Sequence, residues 1–307
     1  MRIKRRKLLL LLATASSIYF SICYFLSSKL ITFPRRALEV DRVRLGIKNL
    51  QQYGIGKTED VSIQQANLAL KGWYFKPRNA KKCAILYHHG YTGTRYGAMK
   101  YYPLFRSLRC SALFIDARNH GESEGHFNTF GYHEKKDTLA WVDWLQQKAK
   151  LSEKKIALVG ESFGAATILQ AAGYSQKKFW FILADSPYKS FKSITSEQAV
   201  KQYGTITDFF TFFAYEIAGF RAKFDPDDVS PSGYAPRIQT PCMLVHSLQD
   251  PYTPAYHSKA IYARLAKPKK HRLFFSDWQA GHGRSVNTNF AAYQKQVRDF
   301  LQKINKK

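Results

Sequence analysis

The chain has 307 residues and a formal net charge of +26, with 45% apolar and 15% aromatic residues. That apolar fraction excludes a disordered chain, and the length allows one large core with room for an insertion. The four cysteines show no C-x-x-C spacing, which argues against a zinc site, and no disulfide is expected among them.

The chain opens with Arg2, Lys4, Arg5, Arg6 and Lys7, and residues 8–26 then run without a charge, about the length of a bilayer-spanning helix. A cleavable signal peptide is the rival reading. Its leucine core (8–12) is short, Ala13-Thr14-Ala15 comes early for cleavage, and bulky Phe20 and Ile22 spoil a lipobox before Cys23. An uncleaved single-pass anchor is therefore expected, with its N-terminus cytoplasmic and the following domain periplasmic or otherwise extracytoplasmic. Lys29, Arg35, Arg36, Arg42 and Arg44 on the far side weaken that charge rule. The positive balance suits an anionic lipid surface, or reflects a lysine-rich composition. The basic residues are scattered and form no nucleic-acid-binding motif, so no nucleic-acid partner is expected.

After the anchor, residues 34–53 read as a basic helix lying along the membrane or the domain. Loose alternation over 61–75, with Asn67 at a turn, predicts an antiparallel hairpin. The run 84–88 predicts a buried strand, 97–108 a helix, 112–116 a strand and 119–125 its polar turn. Helical spacing over 134–148 puts Leu139, Val142 and Leu145 inward with Trp141 and Trp144 flanking. Strands follow at 156–159 and 179–184. This alternation implies a mostly parallel sheet with helices on both faces. Residues 185–239 break the rhythm with an aromatic helical tract at 205–220. The tract reads as a lid suited to an apolar acyl chain, or as aromatics packed on the domain or membrane. Strands at 243–246 and 272–275 and an amphipathic helix over 289–304 complete the chain.

The chemistry centres on 154–173, where the apolar run 156–159 stops at Gly160-Glu161-Ser162-Phe163-Gly164 and re-emerges as a small-residue helix. A strand, G-x-S-x-G and a helix in succession are the nucleophile elbow of a serine hydrolase. Gly121-Glu122-Ser123-Glu124-Gly125 fits the same pattern, but a polar run precedes it and no helix follows, so Ser123 reads as a turn residue. A serine hydroxyl needs a base to take its proton and a carboxylate to orient that base, in the chain order Ser, Asp or Glu, His. Ser162, Asp250 and His282 fall in that order, each just after a predicted strand. Asp250 is preferred to Asp225, Asp227, Asp228 and Asp277, which read as turn or capping carboxylates. The loop His89-Gly90-Tyr91 after the strand at 84–88 is expected to supply the Tyr91 N–H to an oxyanion hole, with the Phe163 N–H as its second donor. His88 and His89 point to opposite faces of a strand and are expected to buttress that loop, not to chelate a metal.

From about residue 61 onward the chain resembles the α/β-hydrolase superfamily of serine hydrolases, most closely its membrane-anchored ABHD-like and YqkD-like branch. The resemblance rests on His89-Gly90, the 116–123 run DARNHGES, the elbow, Asp250 and His282. The 116–123 run is similar to the family's D-x-R-G-H-G-x-S turn, with Asn119 in place of the usual glycine, which identifies Ser123 as structural. The resemblance implies an α/β-hydrolase fold, with a mostly parallel central sheet, helices on both faces and a small helical insertion. The expected division is 1–30 as basic segment and transmembrane helix, 31–58 as linker, and 59–307 as hydrolase domain with a lid at about 187–238. It implies hydrolysis of a carboxylester or lipid acyl ester through an acyl-enzyme, with no metal or organic cofactor. The alternatives are a peptidase or thioesterase of the same fold, or a non-catalytic membrane-tethered binding module. The expected partners are a small-molecule or lipid acyl substrate and, through the N-terminal helix, a membrane.

Overall fold

A computed structural model describes residues 2–267 and 270–305. In chain order its elements begin with α1 (Arg2–Ile31), α2 (Leu38–Arg44), β1 (Glu59–Gln65), β2 (Leu68–Phe75), β3 (Ala84–His88), α3 (Arg95–Ala98), α4 (Tyr102–Phe105) and β4 (Ser111–Ile115). They continue with α5 (Glu134–Ala149), β5 (Ile156–Glu161), α6 (Phe163–Ser175), β6 (Ile182–Asp185), α7 (Phe191–Tyr203) and α8 (Asp208–Ala222). The last are α9 (Pro231–Tyr234), β7 (Cys242–Ser247), α10 (Tyr256–Arg264), β8 (Arg272–Ser276), α11 (Ser285–Thr288) and α12 (Phe290–Asn305).

Among the described residues eight strands form one sheet in the order β1-β2-β4-β3-β5-β6-β7-β8. β1, β2 and β4 pair antiparallel, and every later pair is parallel. The parallel strands read as unbroken apolar runs because both faces are covered. On one face Ile85, Val159, Leu183 and Val245 meet Tyr293, Val297 and Phe300 of α12. On the other, Leu86, Leu158, Ile182 and Leu244 meet α5 and the alanine-rich α6. The chain leaves β3 for β4 on one side and returns to β5 on the other, which opens a crevice at the strands' C-terminal ends.

Several expectations are corrected. Cys83 and Cys110 form a disulfide, with Cα atoms 4.8 Å apart. β3 and β4 lie side by side with Ala84 opposite Ser111, so the residues just before them must face each other. Twenty-seven positions apart in sequence, they gave no local sign of that contact. The helix expected at 97–108 is a string of short turns, broken by 3-10 segments at Met99–Tyr101 and Arg106–Leu108. In α5 the buried stripe is Thr138, Trp141, Val142 and Leu145, and Leu139 is only half-buried. That set follows the i, i+3, i+4, i+7 rule, about one residue's rotation from the face expected. The basic stretch 34–53 holds only short helices. Asp41 of α2 is fully buried, accepting from the N–H and hydroxyl of Thr94 at 2.9 and 2.8 Å.

α1 is long and apolar enough to cross a membrane. It packs along α8, burying Cys23, Ser27 and Ile31, a stripe at i, i+4 and i+8 on one helix face.

Candidate active site

The elbow explains its own spelling. Ser162 stands between β5 and α6 at φ 49° and ψ −113°, a backbone region that costs energy and persists only where the surroundings enforce it. Its N–H is held by the Asp185 carbonyl at 2.7 Å. A Cβ at Gly164 would lie 2.5 Å from the carbonyl oxygens of His88 and His89, and one at Gly160 would lie 2.7 Å from the Gly164 carbonyl. Only glycine lets strand, turn and helix approach this closely. Phe163 is the first residue of α6, so its N–H belongs to the helix-terminal donors that lack an intrahelical acceptor.

His282 lies in the loop after β8, its Nε2 2.7 Å from Ser162 Oγ and its Nδ1 2.7 Å from Asp250 Oδ2. With Nδ1–H donating to the carboxylate, Nε2 is the acceptor for the serine proton. Asp250 follows β7, and its other oxygen accepts the N–H groups of Tyr252 and Thr253, both at 2.9 Å. Burial pulls this carboxyl upward, but hydrogen bonds from His246, His282 and the Thr253 N–H outweigh it and hold the group well below the usual carboxylate range. The structure thus brings Ser162, His282 and Asp250 into one hydrogen-bonded chain, with Tyr91 and Phe163 beside it.

Tyr91 follows Gly90 at the end of β3, with its ring 40% exposed at the mouth of the site. The loop beneath is braced by His89, whose Nδ1 lies 2.8 Å from the Gly90 carbonyl and whose Nε2 accepts the Ala117 N–H at 3.0 Å. Burial pushes both neighbouring imidazoles down, His88 to about 4, and keeps them neutral. Ser123 is fully buried, donating to the Asp116 carbonyl and accepting the Lys71 N–H, each at 2.8 Å. Asn119 takes φ 57° where a glycine is usual, a conformation its short polar side chain tolerates.

Three supporting groups lie outside the sequence motifs. Lys100 pairs with Glu161 at 2.6 Å and donates to the Gly283 carbonyl at 2.5 Å, which fastens the His282 loop to the elbow. His246, fully buried on β7, places Nε2 3.3 Å from Asp250 Oδ2 and 2.6 Å from the Thr253 carbonyl. Asp185 ends β6 close to the elbow, but its carboxylate is taken by Tyr101, Tyr293 and Ser186 and does not reach His282. Only that carboxylate's place at a strand end could have marked it.

Two cavities meet at Tyr91, which lines both, and His282 lines the second. One, of about 240 Å³, is mainly apolar and runs from Tyr91 and Tyr252 between α1, α7 and α8. The Tyr252 ring lies 5.2 Å from that of His282. The other, of about 360 Å³, is polar and is lined by Arg36, Arg44, Lys100, Arg284, Glu161 and His282. Among the described residues no group of three or more His, Cys, Asp or Glu side chains gathers as a metal site would.

Residues 124–307 match the model of the prolyl oligopeptidase family. The chain is 30% identical over 241 residues to the YqkD protein of Bacillus subtilis (strain 168), covering 77% of this chain and 76% of the relative. It is 26% identical over 207 residues to the lysophosphatidylserine lipase ABHD12 of Xenopus tropicalis, covering 64% of this chain and half of that protein. Among solved structures, the Pyrococcus furiosus esterase Pf2001 superposes with a TM-score of 0.68 at 21% identity, over 88% of this chain and 98% of the esterase. The fold, the elbow and these matches agree: the chain belongs to the prolyl oligopeptidase family of α/β-hydrolase serine hydrolases.

Proposed function

We propose that the chain is a membrane-anchored serine esterase acting on an acyl ester with a polar, preferentially anionic leaving group. The observation that carries this is the 2.7 Å chain from Ser162 through His282 to Asp250, with a polar, arginine-lined cavity at His282 and an apolar one reached past Tyr91 and Tyr252. Ser162 Oγ attacks the ester carbonyl while His282 Nε2 takes its proton and Asp250 steadies the imidazolium. The Tyr91 and Phe163 N–H groups receive the tetrahedral oxyanion, aided by the N-terminal dipole of α6. His282 then protonates the departing alcohol, leaving an acyl-serine. A water deprotonated by the same histidine releases the acid and restores the serine. The acyl chain lies in the apolar cavity, and the leaving group faces Arg36, Arg44, Lys100 and Arg284.

The disulfide supports an extracytoplasmic site for this domain, since such bonds persist in oxidising compartments. The basic N-terminus of α1 then stays in the cytoplasm. A peptidase reading is favoured by the name of the matching family, and chain-terminal aminoacyl p-nitroanilides test it beside the esters.

The experiment uses the full chain in detergent against p-nitrophenyl esters from acetate to palmitate, with fluorophosphonate labelling. Turnover and labelling in the parent chain and in Ser123→Ala, with both lost in Ser162→Ala, is the expected result. Ester turnover that survives Ser162→Ala overturns the reading.

A further inference from the structure

The anchor of this protein does more than end near the active site. Tyr19 stacks on Phe210 at 5.1 Å and meets Phe209 edge-on at 5.1 Å, and Phe20 meets Phe213 at 5.3 Å. Further along, Arg221 donates to the hydroxyls of Ser27 and Ser28 at 2.8 and 2.7 Å and lies over the Tyr24 ring. Ile31 packs with Tyr215, Ala218 and Ala222. The two helices therefore run in the same direction, and the start of α8 lies level with residues 19–23. At 1.5 Å per residue that is roughly 12–18 Å down α1 from Ile31.

This fixes a depth. The charge-free stretch 8–26 includes residues 19–23, so any bilayer that holds the stretch must also hold the first turns of α8. Those turns carry one acidic residue, Asp208 at the very start of α8, and are otherwise aromatic on their outer face. Phe209 and Phe212 are 67% and 64% exposed, with Ile206 and Phe213 beside them, and together they continue the exposed apolar surface of α1. Arg221, the basic residue of the last turn, sits level with Ser27 and Lys29, where headgroups begin.

The apolar cavity lies in the angle between these helices. Leu26, Leu30 and Phe33 wall it from the anchor side, and Thr211, Ala214 and Tyr215 wall it from α8. Phe33 stands 4.4 Å from Tyr91 at the inner end. We propose that α1 and the lid helix α8 embed in the bilayer as one unit and together form the acyl-chain site, so that the chain of a membrane lipid slides between them to Ser162 without crossing water. The occupant of the exposed α8 face is thus lipid, a continuation of the surface that surrounds α1. The acyl route rests on the ester reading above; the embedding of α8 does not.

Two measurements on the full chain in phosphatidylcholine vesicles separate these parts. Phe212→Trp changes an exposed ring outside the cavity, and acyl-chain-brominated lipids should quench its added emission well beyond the quenching of the parent chain's own tryptophans. Quenching equal to the parent's overturns the embedding. The second measurement compares hydrolysis of a vesicle-borne long-chain ester with that of p-nitrophenyl acetate. Phe212→Asp should lower the first at least tenfold and leave the second unchanged. Leu30→Trp, which narrows the cavity, should lower the long-chain to acetate ratio by about fourfold for each methylene excluded. Quenching present with both ratios unmoved overturns the acyl route alone. A parent chain that hydrolyses no ester removes the ester reading and the acyl route with it, and the quenching still decides the embedding.

Discussion

Lys100 Nζ lies 2.6 Å from the Glu161 carboxylate, joining the helical turns after β3 to the residue that precedes Ser162. The same ammonium holds the Gly283 carbonyl, so the base-bearing loop and the elbow share one clamp. Packing is close enough that a Cβ on Gly283 would collide with the Glu161 carboxylate. Lys100→Met should leave the fold intact and lower kcat by roughly ten- to a hundredfold through misplacement of His282. KM for a neutral ester should change little, and Lys100→Arg should restore part of the rate. A merely structural lysine would instead lower the melting temperature and leave kcat of the remaining folded enzyme unchanged.

Asp250→Asn should lower kcat by about 10⁴-fold, because the amide no longer enforces the Nδ1–H tautomer of His282. The pH dependence has a definite sign. The Asp250 carboxyl is held below its ordinary value in the fold, so its contribution to stability is present above the unfolded pKa of about 3.9 and is lost as pH falls toward the folded value. Acid unfolding of the parent chain should therefore steepen below about pH 4, and Asp250→Asn should flatten that limb. An identical acid limb in the variant would refute the assignment.

Unfolded without reductant, the chain should expose two thiols, Cys23 and Cys242, and four after reduction. Replacing Cys83 and Cys110 by serine should cost about 3–4 kcal/mol for a loop of this length. Ester turnover at 25 °C should stay unchanged, since the bridge lies before β3 and β4, at the opposite end of the strands from Ser162.

Gly164→Ala places a methyl 2.5 Å from two backbone carbonyl oxygens, neither of which can turn aside. Loss of roughly 1–3 kcal/mol or more, with little fluorophosphonate labelling, is expected. Gly204→Ala is a useful contrast: its Cβ would meet nothing within 4 Å, and its only burden is a positive φ. Circular dichroism melts of the two variants compare a steric clash with conformational strain.

Much of the architecture could be read from local patterns because local physics writes them. The runs 84–88 and 156–159 announce buried strands, and the glycines flanking Ser162 are demanded by backbone contact within a few residues. The pairing of Cys83 with Cys110 could not be read that way, since it depends on which strands become neighbours. His246 hides in an apolar strand run, and Lys100 in an unremarkable basic turn. Lys100 matters through Glu161, a partner sixty-one positions on, and His246 through Asp250, a near neighbour that its ring meets only because the loop after β7 folds back. In α5 the leucine spacing alone does not fix the buried face to within one helical step: Trp141 is wholly enclosed and Leu139 is not. The pairing of α8 with α1 could not be read locally either, since it is set by side chains nearly two hundred positions apart (Tyr19 bonds Phe209 across 190 residues).

The junction after α1 has no slack. The Ile31 carbonyl accepts the Asn128 N–H, Arg35 donates to the Gly121 carbonyl and Arg36 to the Thr92 carbonyl, three stitches within six residues of chain. A domain held this way works at a fixed height and a fixed bearing relative to its helix, like a blade set in a plane and not a float on a line. With α1 and α8 embedded as proposed, its reach is one leaflet deep and its search for substrate two-dimensional, so its rate should follow the surface density of substrate in that leaflet and not the amount per volume of suspension.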